Sequence, residues 1–153
     1  MNARPLLAIL MLALSAACST PATAIPAGPT GGPLSVAISP NPLALPAPGQ
    51  PLVWNVTLRA LGSVGVRLDR SEISVLDGVG GTVAERETFW SKSAGCSVCS
   101  DDIHLASGAG MTFSGQTVTF SRVPGGKARL SYKTFFTDDD GNASSITVEV
   151  PVG

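Results

Sequence analysis

From Leu52 to Arg59 the large apolar side chains fall at every second position. Leu52, Trp54, Val56 and Leu58 share one side, while Asn55, Thr57 and Arg59 take the other. A repeat of two sets an apolar stripe against a core and leaves polar groups in water only if the segment is a strand. The same repeat runs through Leu34, Val36 and Ile38, through Val64, Val66 and Leu68, then Ile73 and Val75, and through Ile146, Val148 and Val150 with Thr147 and Glu149 opposite. Val83 to Trp90 is a weaker strand whose Glu85, Arg86 and Glu87 suit a sheet edge. After a long irregular stretch, Thr117–Phe120 and Lys127–Phe136 alternate again. Ser39-Pro40-Asn41-Pro42, Pro46-Ala47-Pro48-Gly49, Leu61-Gly62-Ser63, Asp77-Gly78-Val79-Gly80-Gly81 and Pro124-Gly125-Gly126 break the ladders between strands. About seven short strands with no helical period predict an all-β fold, a single antiparallel β-sandwich over residues 34–153.

This stretch resembles the bacterial immunoglobulin-like domains of the fibronectin type III sort. Trp54 stands where that family often keeps a second-strand tryptophan, and Thr137-Asp138-Asp139-Asp140-Gly141-Asn142 is similar to its last hairpin turn. Ala128 occupies the place of the family's corner tyrosine, and Tyr132 comes four residues later. The resemblance implies an immunoglobulin-like sandwich and no particular function, because that fold hosts many.

Ahead of the sandwich, Arg4 precedes an apolar run from Leu6 to Leu14 that ends in Ser15-Ala16-Ala17-Cys18. The run is too short to span a hydrocarbon core, which needs about 20 residues, and reads as a secretory signal over residues 1–17. The small residues before Cys18 resemble the lipobox of bacterial lipoproteins, although Leu14 lies one position further back than that family's usual leucine. The resemblance implies that Cys18 is acylated and becomes the N-terminus, holding the protein to a membrane. Ser19, a residue other than Asp after the cysteine, implies the outer membrane in lipoproteins of enteric type. Ala22-Thr23-Ala24 offers an ordinary cleavage site that would discard Cys18.

Residues 18–33 follow as a linker. From Ser19 to Pro33 the chain has four prolines, three glycines and no charge, so it lacks the apolar surface to fold and reads as a tether. Loss of the signal removes Arg4 and moves the formal charge of −1 one unit further negative. The remaining cations are scattered from Arg59 to Lys133, which leaves no basic stripe to neutralise phosphates and predicts no nucleic-acid partner.

Cys96-Ser97-Val98-Cys99 admits three readings. In an oxidising compartment two cysteines left over after lipidation pair, and so short a loop stiffens its surroundings more than it stabilises a fold. A thiol–disulfide exchange role is the sharper alternative, but no helix follows Cys99, and Asp101 and Asp102 favour the neutral thiol. Cys96, Cys99, His104 and one of those aspartates have the donor chemistry for zinc, without the second ligand pair that confident zinc signatures carry. His104, between Ile103 and Leu105, is expected to point to solvent.

Asp138, Asp140, Asn142, Ser144 and Glu149 have the spacing of a calcium loop, with Ala143 where its glycine should stand. A hairpin turn accounts for Asp-Asp-Asp-Gly-Asn more economically. No cofactor is expected. Catalysis has little to stand on: no G-x-S-x-G elbow and no phosphate-binding glycine loop is present, and the carboxylates fall on turns and edges.

In Phe89-Trp90 and Phe135-Phe136, alternation turns one member of each pair outward. Phe89, Trp90 and Val98 form a candidate contact surface, joined by the Asp138–Asn142 turn if both reach one end of the sandwich; core packing explains the aromatics equally well. The chain is thus expected to be a non-catalytic envelope lipoprotein, a binding or structural module for an envelope protein or glycan, with the Cys96–Cys99 redox or metal protein as the alternative.

Overall fold

A computed structural model of the chain describes residues 32–91, 102–124 and 126–153. Eight strands and no helix occur among the described residues: β1 (Leu34–Ser39), β2 (Leu52–Ala60), β3 (Val66–Leu76), β4 (Thr82–Phe89), β5 (His104–Leu105), β6 (Gly110–Val118), β7 (Ala128–Asp138) and β8 (Ala143–Val152). They form two antiparallel sheets, ordered β1-β2-β6 and β4-β3-β7-β8, with β5 paired to the start of β3. The all-β sandwich expected from the alternation is the fold that forms.

Each strand turns its apolar set inward. Leu52, Trp54, Val56 and Leu58 of β2 meet Ile73 and Val75 of β3 and Leu130, Tyr132 and Phe136 of β7 in one buried cluster. The apolar positions of β3 change parity midway, from Val66 and Leu68 to Ile73 and Val75. The structure accounts for this with a bulge at Asp69, where the register against β7 slips between Leu68 and Arg70. One extra residue in a strand restores the inward phase that the alternation alone would lose.

Two sequence expectations are corrected. Gly110–Gln116, taken as irregular, belongs to β6, so that strand begins seven residues earlier than Thr117 and ends at Val118. It carries no apolar stripe because most of it is exposed at the margin of the three-stranded sheet, held by its ladder to β2. A bulge opposite Asn55 is accommodated by Gly115 at φ 66°, whose N–H donates to Asn55 Oδ1. Val64 lies outside β3, in the crossing from β2 to the second sheet.

The flanks of the sandwich are joined differently. On one, Arg86 donates to Thr117 O and Ser121 N–H to Val83 O, linking the margins of β4 and β6. On the other, Leu43 makes a parallel bridge to Val152, donating to Pro151 O and accepting from Gly153 N–H. The register also sorts the connections by end. The chain enters β1 at the end that holds the 61–65 crossing, the start of β5 and the β7–β8 turn, as Leu61 N–H donating to Pro33 O and Asp139 N–H to Gly65 O confirm. The β3–β4 turn lies at the opposite end.

Candidate functional site

At the entry end, Asp138 opens the turn to β8. Its N–H donates to Asn142 O, its carbonyl accepts from Gly141 N–H, and its carboxylate accepts from both the backbone and the side-chain amide of Asn142. These bonds hold the Asp138 carboxyl below the ordinary carboxylate range, the Asn142 side chain contributing most. Gly141, at φ 87°, supplies the left-handed residue that ends a three-residue hairpin loop. Asp138, Gly141 and Asn142 thus close the hairpin turn expected of Asp-Asp-Asp-Gly-Asn. Glu149 lies six residues along β8 from Ala143, opposite Ser131, and pairs with Arg129 at 3.4 Å, too far from the turn to share an ion with it.

Asp139, the next residue, faces back across the end of the sheet. Its Oδ2 accepts from Gly65 N–H at 3.0 Å and its Oδ1 lies 2.7 Å from His104 Nε2. A side chain at Gly65 would collide with Asp139, Leu105 O and His104 together, so glycine alone lets the three approach. His104 is exposed on β5, as alternation predicts, while Leu105 is buried. Its engagement with Asp139 across 35 residues was not visible in the sequence, because it depends on β5 and β7 both pairing with the start of β3. Among the described residues no group of three or more His, Cys, Asp or Glu side chains is placed to hold a metal ion. Cys18, Cys96, Cys99, Val98 and Asp101 lie outside the described residues.

The aromatic pairs separate as alternation requires. Phe89 is exposed and Phe136 buried. Trp90 was offered as an exposed contact; instead it is half-buried and turned inward. Its indole N–H donates to Ser71 Oγ at 2.8 Å and its ring stacks on Phe113 of the other sheet, centroids 4.6 Å apart. Ser71 Oγ also meets Tyr132 OH at 2.9 Å and Thr134 Oγ1 at 2.5 Å, all three residues being buried. A polar group this deep is stable only with partners, and the four satisfy one another. Burial pushes the Tyr132 hydroxyl above its ordinary pKa against the opposing pull of Ser71 and Thr134. The cluster therefore works as neutral glue beneath Trp90.

The outer face of the larger sheet carries what the sequence reading missed. Phe89, Arg70, Phe135 and Ser145 lie in one row across β4, β3, β7 and β8. The Arg70 guanidinium sits 4.0 Å from the centroid of the Phe135 ring and Lys133 Nζ 4.6 Å from it. Arg70 Nη1 also donates to Glu72 and Glu87, whose carboxylates reinforce its charge, the Glu87 bond most. Beside this row runs an open groove of about 460 Å³ between Asp69 and Arg70 on one side and Ser144 and Ser145 on the other. An aromatic face edged by fixed charges and hydroxyls can hold an extended polar ligand by contact.

A solved structure shares the architecture. An X-ray structure of a Northeast Structural Genomics Consortium target, SoR45, superposes with a TM-score of 0.53 at 9% identity, over 78% of this chain and 85% of that one. A Bordetella pertussis protein provisionally named ApaA gives a TM-score of 0.49 at 16% identity, over 77% of this chain and 90% of that one. The likeness to SoR45 is one of fold. No protein-family model matches the chain, and no curated protein matches it in sequence.

Proposed function

We propose that the protein is an exported lipoprotein whose immunoglobulin-like sandwich, of the fibronectin type III sort, serves at the bacterial envelope as a non-catalytic binding or structural module. The observation that carries this reading is the apolar run Leu6–Leu14 ending at Cys18, followed by an uncharged Pro/Gly-rich segment that stops where the sandwich begins at Leu34. Three strands facing five, with Trp54 buried on the second, support the immunoglobulin-like assignment. The outer row of Phe89, Arg70 and Phe135 is the contact surface, and an envelope protein or glycan is the partner class it suits. Cys96 and Cys99 form a disulfide; the pairing of His104 with Asp139 supports that over a shared zinc site.

The intact mass of the protein purified after export, with and without reductant, tests the reading. A chain beginning at an acylated Cys18 and gaining two hydrogens on reduction is expected. A chain beginning at Ile25 would sink the anchor, and free thiols before reduction would sink the disulfide, each without touching the other. Binding to isolated envelope fractions that falls on Phe135→Ser substitution, with the fold intact by circular dichroism, tests the contact surface.

A further inference from the structure

The sandwich has a long margin, that of β8, along most of which the backbone is unpaired among the described residues. β4 is joined to β6 and its neighbouring segment through Val83 O and Arg86 and carries Glu85, Arg86 and Glu87, three charges in a row that discourage further pairing. β1 is only six residues long and runs into Pro40 and Pro42. β8 is ten residues and pairs with β7 on one side; on the other it lies near β1, but its only backbone bonds there among the described residues join Pro151 O and the following Gly153 N–H to Leu43. From Ala143 to Pro151 its sole charge is Glu149. No bulge interrupts its register.

The direction of its backbone groups follows from two bonds. Pro151 O and Gly153 N–H face Leu43, while Asn142 O faces Asp138 in β7. Peptide groups alternate along an antiparallel strand, so the N–H and C=O of Ser145, Thr147 and Glu149 point away from β7. Their side chains are exposed on the outer face. Among the described residues no backbone group pairs with them.

We propose that this edge pairs with the same edge of a second copy, antiparallel, about a two-fold axis at Thr147. The register is the one the edge itself selects. Thr147 is the midpoint between Ala143, where β8 begins, and Pro151, which has no N–H and whose oxygen Leu43 already takes. That axis sets Thr147 opposite Thr147 and Ser145 opposite Glu149, each a pair whose peptide groups both point outward, so three adjacent hydrogen-bonded pairs close at once. Charge agrees: Glu149 meets a serine hydroxyl and not its own copy. The β-branched Ile146 and Val148 face each other across the join on the inner side, the pairing that sheets favour. A two-fold contact of one patch with itself is also the simplest closed assembly. The edge is short of a standard interface, which buries about 1,200 Å² or more, so the dimer is a weak one.

The test is sedimentation of the exported, purified protein from about 10 µM to about 1 mM, a range chosen for a weak contact, with amide exchange followed by NMR at both limits. The expected result is a rise toward twice the monomer mass, together with several-fold slower exchange at Ser145, Thr147 and Glu149. Thr147→Pro removes an N–H that serves no bond to β7 and is expected to abolish both effects. Thr147→Lys, which sets two ammonium groups together at the axis, is expected to move dimerisation to at least tenfold higher concentration and decides the matter if the proline variant does not fold. A protein that stays monomeric throughout overturns the proposal. So does a dimer, with itself or with another bound chain, whose three amides exchange as fast as in the monomer, or one that Thr147→Lys leaves unchanged.

Discussion

Two hairpin turns at opposite ends of the same sheet are built on one plan and tied into the molecule in opposite ways. In the β3–β4 turn, Asp77 N–H donates to Gly81 O and Asp77 O accepts from Gly80 N–H; in the β7–β8 turn, Asp138, Asn142 and Gly141 repeat the arrangement. Gly80 and Gly141 share a φ of 87°. In both, the first aspartate's Oδ1 accepts from the N–H four residues on. The difference lies in the second oxygen. Asp138 finds a partner in its own turn, the amide of Asn142. Asp77 is buried and takes the guanidinium of Arg122, 45 residues away, and Gly81 stands where Asn142 stands because a side chain there would crowd that ion pair. In one turn the first aspartate bonds only within its own loop and leaves the outward ties to Asp139; in the other the first aspartate is itself the joint that holds the β6–β7 connection to the end of β3. A carboxylate that closes a local turn contributes little to tertiary stability, whereas one that fastens distant segments from a buried position is lost only at large cost.

Asp77→Ala should break this comparison most visibly. It orphans Arg122 and two turn amides at once, and a fall in Tm on the order of 10 °C is expected by calorimetry. Next comes the acid limb of stability. Both aspartates are held below the ordinary carboxylate range in the folded protein, Asp77 chiefly by Arg122 and Asp138 chiefly by Asn142. The unfolded chain therefore binds more protons as pH falls below about 4, so the stability these groups supply is present above that value and lost beneath it. Arg122→Ala should lower stability above about pH 4 and flatten its fall between about pH 5 and pH 2 in urea titrations, while Asn142→Ala should flatten the same profile less.

Gly80→Ala and Gly141→Ala sharpen the contrast from the other side. Neither added methyl would touch anything, so each substitution costs only the strain of a left-handed alanine, about 1 kcal/mol, and the two should be equal within error by denaturant melts. Unequal losses would show that the turns differ in backbone as well as in partners. Smallest is Asp138→Ala, for which a fall in Tm of about 2–3 °C is expected, since Gly141 and the backbone bonds persist.

The two turns also measure what could be read without the structure. Both reversals were legible, because Asp, Gly and Asn between alternating apolar runs have a local cause. So was the inward set of β2, whose alternation needs no partner to be recognised. Arg122 was not, since nothing local distinguishes it from the other scattered cations; its role exists only once the β6–β7 connection lies over Asp77. The same holds for His104 and Asp139, and for Arg70 over Phe135, contacts created by strand register. Most of β6, Gly110–Gln116, was missed for a related reason: an exposed margin needs no apolar stripe, so that stretch carries no period to find. Trp90 was ambiguous because its indole is apolar with one donor, and the acceptor that draws it inward, Ser71, lies 19 residues before it.

The entry of the chain at Leu34, at the Asp138 end, bears on how two molecules could meet. Strands joined antiparallel run opposite ways, so the leads of two paired copies leave the dimer from opposite ends, separated along the strand axis by about 30 Å. Residues 19–33 can reach roughly 50 Å when fully stretched. Two copies whose leads converge on one side with the strands upright would need one lead drawn back along the whole length of the sandwich, more than half of that reach. Copies whose leads approach from opposite ends would need no such stretch.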